Sequence, residues 1–144
     1  MKNKNMLFAI LLLAFTTNFT AEANAQSTPQ HRVVMQLSSA DTMVWKGLMN
    51  NLRNLKAGWG DSVIIEVVAH GPGIELLMKA KTTQLASIKT HKANGIVFYV
   101  CENTMREKKI PYDAIIAEGV FVKMGIGHVI IRQEQGWTYI KTGF

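Results

Sequence analysis

The chain has 144 residues, which indicates a single domain. Its formal charge of +6 is spread over short groups of lysines and arginines. The composition therefore favours a solvated basic surface over a nucleic-acid-binding patch. The one cysteine excludes an intramolecular disulfide, so the domain must depend on packing for its stability.

The first 25 residues carry the pattern of a secretory signal peptide. Two lysines near the start precede an apolar run at 6–15, and an A-x-A sequence follows at 23–25. The apolar run is shorter than the roughly 20 residues that a membrane-spanning helix needs. We therefore predict cleavage after Ala25 and an extracytoplasmic, periplasmic location. The mature chain, 26–144, would form one domain without membrane association.

The first half of the mature chain alternates between strand and helix patterns. A strand is predicted at 32–37, because β-branched residues dominate it. Asp41 is a suitable N-cap for an amphipathic helix that ends near Gly58, with apolar residues at spacings of four, four and three. The next strand, at 62–71, is almost continuously apolar. This pattern is typical of a strand covered on both faces of a parallel sheet.

The alternation continues to the C-terminus. The remaining elements are a short helix after Pro72, a helix at 83–92, a buried strand at 96–101, a short helix from Glu102, a strand within 115–122 and a last strand at 137–141. Residues 126–135 fit either a strand, from their β-branched residues, or a helix, from their apolar spacing. Strands that alternate with helices predict an α/β sandwich with a mostly parallel sheet.

Two reactive side chains follow buried strands. His70 ends the second strand and Cys101 ends the third. Ligands gather at the carboxyl ends of parallel strands, so both residues are candidates for a functional site. With the common 2-1-3 strand order, they would share one rim with one strand between them, roughly 10 Å apart.

The surroundings of Cys101 permit two interpretations. The residue immediately precedes a predicted helix, whose free N–H groups and dipole would favour a thiolate on a sulfur open to solvent. Glu102 opposes this effect, because a neighbouring carboxylate disfavours a second negative charge. Free cysteine is also among the most buried residue types, so Cys101 could equally be inert packing.

The other candidate residues flank these two side chains. Gly71 and Gly73 could form an anion-binding turn or simply a sharp strand-to-helix turn. Asn103 and Thr104 could hydrogen-bond a ligand near the thiol or cap the helix. The histidines show no metal-ligand spacing, so no metal site is predicted.

Three segments together resemble the DsrE/DsrF-like, or YchN-like, family. They are "VVAHGPGIELL", "GIVFYVCENTM" and "EQGWTYIK", in the order the family has them. The resemblance implies a three-layer α/β sandwich with a five- or six-stranded sheet, assembled as trimers or hexamers. It also implies a helix at 126–135. Sulfur-relay members carry a persulfide on a cysteine after the third strand, which Cys101 matches, and His70 and Gly71 match the family's H-G pair.

The resemblance leads to two functional hypotheses. In the first, the protein is an exported sulfur carrier or sulfurtransferase with a persulfide on Cys101, assisted by His70. It would need no cofactor, and its partners would be a sulfur donor and acceptor. In the second, it is a non-enzymatic oligomeric module that binds a small ligand or is structural, with Cys101 as packing. The characterised sulfur-relay members are cytoplasmic, so the predicted export would separate this chain from their partner proteins.

Overall fold

The computed structural model describes residues 30–143, so the predicted signal peptide lies outside the described residues. The strands are β1 (His31–Leu37), β2 (Val63–Ala69), β3 (Val97–Cys101), β4 (Gly119–Val122) and β5 (Thr138–Thr142). The α-helices are α1 (Thr42–Trp59), α2 (Leu85–Ala93), α3 (Glu102–Lys108) and α4 (Gly125–Glu134). Short 3-10 helices occupy Gly60–Ser62, Gly71–Leu77 and Tyr112–Ala114. Within the described range, no helix is long and apolar enough to cross a membrane.

The five strands form one parallel sheet in the order β4-β3-β2-β1-β5. The prediction of an α/β fold with a parallel sheet is confirmed. The predicted 2-1-3 order is wrong, because β2 lies between β1 and β3. The chain adds β2, β3 and β4 successively on one side of β1 before β5 returns to the other side. His70 and Cys101 therefore follow neighbouring strands instead of strands separated by a third.

Helices cover both faces of the sheet, which gives the three layers expected of the family. The larger core lies on one face, where buried side chains of α1 and α2 meet alternate residues of the strands. On the other face, Val129 of α4 packs against Val34 and Val68. α4 contacts β1, β2, β3 and β5, so this single helix spans most of the sheet's width.

Two predictions about the helices are confirmed by the structure. The predicted N-cap is confirmed, because Oδ1 of Asp41 accepts a hydrogen bond from Met43 N at 2.8 Å. Residues 126–135 lie almost wholly within α4, as the family resemblance implied. The β-branched residues there do not prevent a helix, since burial of Val129 against the sheet outweighs their modest preference for strands.

Candidate functional site

Cys101 is the last residue of β3, and its side chain is buried under α4. Its relative exposure is 4 %. Val100 points into the larger core, so the alternation of side chains along the strand turns Cys101 to the opposite face. The expectation of a thiol open to solvent is therefore wrong.

The sulfur is hydrogen-bonded by a helix that lies far from it in sequence. Gly125 is the first residue of α4, and its backbone N–H donates a hydrogen bond to Cys101 Sγ at 3.2 Å. The sequence predicts that the backbone N–H groups of α3, the helix that directly follows Cys101, are the donors. In the structure the Cys101 side chain makes no capping hydrogen bond to α3. The positive end of a ten-residue helix thus faces the sulfur. The helix N-terminus that faces the sulfur is therefore that of α4, not that of α3.

Gly125 allows this approach because it has no side chain. A Cβ at this position would lie 3.1 Å from Cys101 Cβ and 3.3 Å from His70 Cβ. The Cβ atoms of Cys101 and His70 therefore both lie against the first turn of α4. Adjacent parallel strands are about 4.8 Å apart, which places His70 and Cys101 nearer to each other than predicted.

His70 is held by a polar network on the same face of the sheet. Its Nε2 atom lies 2.7 Å from Nε2 of Gln36, and the Tyr139 hydroxyl donates to Oε1 of Gln36. The amide nitrogen can only donate, so Nε2 of His70 accepts and the neutral ring carries its proton on Nδ1. Burial lowers the pKa of His70, which also favours the neutral ring. No hydrogen bond joins His70 to the sulfur.

Two of the predicted ligand-binding residues connect the histidine turn to α3. Gly71 has a φ of 51°, a conformation that favours glycine. Its N–H group donates to Oγ1 of the buried Thr104 at 2.9 Å. This bond fixes the turn after His70 against the helix that begins after Cys101.

The other two predicted residues have structural partners. A Cβ at Gly73 would lie 2.6 Å from Leu37 C and 2.9 Å from Ser38 N, so glycine permits close backbone contact there. Asn103 N donates to the Lys123 carbonyl at 3.2 Å. The Asn103 side chain accepts a hydrogen bond from Arg106. Both residues are thereby engaged in packing and turn structure beside the thiol.

A buried carboxylate fastens α4 to the sheet. Glu66 of β2 is 5 % exposed. Arg132 donates to both of its oxygens at 2.7 Å, and His128 Nε2 lies 2.7 Å from Oε2. Tyr99 packs against His128, and its pKa is raised, first by burial and next by the charge of Glu66. We refer to Glu66, His128 and Arg132 as the Glu66 clamp.

Sequence reasoning missed the Glu66 clamp, the Gln36–Tyr139 network and the role of Gly125. One signal was available, because Glu66 is the single charged residue in the apolar strand β2. Buried carboxylates need a partner, so an arginine on a covering helix could have been anticipated. Among residues 30–143, no group of three or more His, Cys, Asp or Glu side chains is arranged to hold a metal ion.

Comparisons with known proteins agree with this architecture. A model of the DsrE/DsrF-like family matches residues 17–142. Among solved structures, the chain is similar to MTH1491 from Methanobacterium thermoautotrophicum, a protein of unknown function, with 32 % identity and a TM-score of 0.74. That match covers 78 % of this chain and 99 % of the other. No curated protein matches the chain.

Proposed function

The chain belongs to the DsrE/DsrF-like family, and we propose from this membership that it carries sulfur as a persulfide on Cys101. The observation that supports the proposal best is the hydrogen bond from Gly125 N to Sγ at 3.2 Å. A helix N-terminus favours a negatively charged sulfur, and both the thiolate and the persulfide are anions.

The proposed reaction transfers one sulfur atom without a metal or organic cofactor. Cys101 Sγ attacks the outer sulfur of a donor persulfide, the donor's S–S bond breaks, and the donor leaves as a thiol that takes the Cys101 proton. With thiosulfate, sulfite is the leaving group and the proton remains with the new persulfide. An acceptor thiolate then attacks the outer sulfur and releases Cys101. His70, whose ring is hydrogen-bonded to Gln36, would lie close to the reacting sulfur and assist the transfer.

Because Sγ is buried, the residues that cover it must move before a donor or acceptor can reach it. The first turn of α4 provides that cover, and Met124 immediately before it is largely exposed. A cavity of about 250 Å³ borders the same turn and is lined by Met124, Gly127 and His128, among others. Displacement of Met124 and Gly125 towards this space would uncover Sγ without disturbing the sheet.

Export and assembly belong to the same proposal. Cleavage after Ala25 would release a periplasmic protein, and its donor and acceptor would be periplasmic molecules. Ile126, Ile130 and Ile131 are exposed on α4, and such apolar surface supports association of subunits into the trimer or hexamer that the family resemblance implies. The mass of the native assembly and of the mature chain would test both points.

Intact-mass spectrometry tests the persulfide directly. Mature protein incubated with thiosulfate or polysulfide, without reducing agent, should gain about 32 Da for one sulfur atom. Cys101→Ser is the matched control and should gain nothing. The proposal is wrong if the unmodified chain shows no adduct, or if the adduct persists in the serine variant.

The alternative function is a non-enzymatic oligomeric module with Cys101 as packing. The 4 % exposure of Cys101 favours it. Labelling of the folded protein with a thiol reagent separates the two proposals. An inert packing thiol reacts slowly at every pH, whereas a carrier thiol reacts rapidly near neutrality.

A further inference from the structure

A second cleft lies between α1 and α2, on the face of the sheet opposite Cys101. Its volume is about 630 Å³, and its lining includes Arg53, Lys56, Ser87, Thr90 and His91. The carrier chemistry proposed above uses none of these residues. Two cations and a buried imidazole therefore share a solvent-accessible space that has no assigned role.

His91 has one ring nitrogen without a hydrogen-bond partner among the described residues. The side chain is 6 % exposed, and its Nε2 atom lies 3.2 Å from the Met49 carbonyl oxygen. A carbonyl only accepts, so Nε2 carries the proton and Nδ1 presents a lone pair. Nδ1 is buried and unpaired. Buried polar atoms normally have partners, so this nitrogen is the unusual group of the cleft.

The charges around the cleft favour an anion. Arg53 is exposed and has no hydrogen bond or ion pair within the described residues. Lys56 Nζ donates to Gly60 O at 2.9 Å and lies 3.9 Å from the fully exposed Asp61. Burial lowers the pKa of His91, the bond to Met49 raises it, and the charge of Arg53 lowers it further. Arg53 and His91 line the same cleft, so a single ligand bound there would face both side chains.

We propose that this cleft binds a small oxyanion that also carries a hydroxyl group, of which hydrogen phosphate is the simplest member. The charged oxygens would bind Arg53, and the hydroxyl would donate to Nδ1 of neutral His91. Because Nδ1 is covered, the His91 ring or a neighbouring side chain must turn slightly when the anion binds. Cys101 does not line this cleft, so a test of anion binding is independent of a test of the persulfide proposal.

The ligand chemistry gives a discriminating comparison between anions. At pH 7.5, inorganic phosphate still carries a proton, whereas sulfate carries none. Phosphate should bind more tightly than sulfate, because only phosphate can donate to the neutral imidazole. When the pH falls and His91 becomes protonated, Nδ1 becomes a donor, and the preference for phosphate should shrink.

The experiment is a phosphate titration of the mature protein, followed by the ring ¹⁵N resonances of His91. Phosphate should shift these resonances saturably. Arg53→Gln should weaken binding at least about tenfold, the loss expected for one charge-assisted hydrogen bond. Lys46→Gln, which removes an exposed cation elsewhere on α1, should leave the affinity unchanged.

Several outcomes would overturn the proposal. One is the absence of a saturable shift at His91. Another is equal weakening by Arg53→Gln and Lys46→Gln, which would indicate general attraction to a basic protein. A third is equal affinity for phosphate and sulfate at pH 7.5, which would exclude donation to Nδ1.

Discussion

Replacement of Gly125 by alanine tests whether the first turn of α4 is fitted to the thiol. The added Cβ would lie 3.1 Å from Cys101 Cβ, 3.3 Å from His70 Cβ and 3.3 Å from Val68 Cγ1. All three distances are shorter than ordinary van der Waals contact, and the neighbours lie against the sheet. The turn must therefore move outward by a few tenths of an ångström, which lengthens the hydrogen bond from Gly125 N to Sγ.

Gly127→Ala is the matched control, two residues further along the same helix. There the three atoms nearest to the added Cβ all belong to Met124, and the far end of this exposed, flexible side chain can turn aside at little cost. Alanine is preferred to glycine in helices by roughly 1 kcal/mol, so Gly127→Ala should leave the protein as stable or up to about 1 kcal/mol more stable. Overpacking of a core costs about 1–3 kcal/mol, so Gly125→Ala should be less stable than the control by roughly that amount.

Urea denaturation gives both free energies of unfolding, and the rate of thiol labelling gives the exposure of Sγ in the folded state. We expect Gly125→Ala to be the less stable variant and to label faster than the parent protein, whereas Gly127→Ala should label at the parent rate. Equal stability of the two variants, together with parent-like labelling of both, would refute the claim that Gly125 is fitted to the thiol.

Two further predictions concern charged and titrating groups. Glu66→Gln should reduce the free energy of unfolding by about 1.5–3 kcal/mol, because charge-assisted hydrogen bonds are lost. We expect a value towards the low end of that range, since the Arg132 side chain is 24 % exposed. An unchanged urea denaturation curve would contradict this prediction. The lowered pKa of His70 means that the unfolded chain binds a proton more readily than the folded one, so stability should fall as the pH drops below about 6.5. His70→Gln should flatten that dependence in denaturation curves between about pH 5 and pH 8. An unaltered slope would argue against a partly buried neutral ring at this position.

The architecture could be predicted because each strand and helix carries its own local signal. β2 and β3 are almost continuously apolar, which indicates burial on both faces and hence a parallel sheet. Asp41 and the apolar spacing after it define the first helix. Residues 126–135 carried contradictory signals, with apolar spacing typical of a helix and β-branched residues typical of a strand, and only the family resemblance decided between them. Local propensity cannot decide such a segment, because packing against the sheet determines its conformation.

The site was predicted less well, because its geometry depends on long-range contacts. The position of Cys101 at the end of β3 follows from the sequence, but its exposure and its hydrogen-bond donor do not. The donor, Gly125, lies 24 residues further along the chain. The separation of His70 and Cys101 depends on strand order, and several orders satisfy the rule of right-handed connections.

The way α4 is attached makes a buried sulfur compatible with the proposed transfer function. The middle and end of the helix are held by Val129 and by Arg132 of the Glu66 clamp. The buried residues of its first turn are glycines, 125 and 127, which contribute little apolar surface to the contact. Opening of that turn therefore costs less free energy than release of the whole helix. The clamp would keep α4 on the sheet while its N-terminal end uncovers Cys101, so burial of the thiol at rest is compatible with access during transfer.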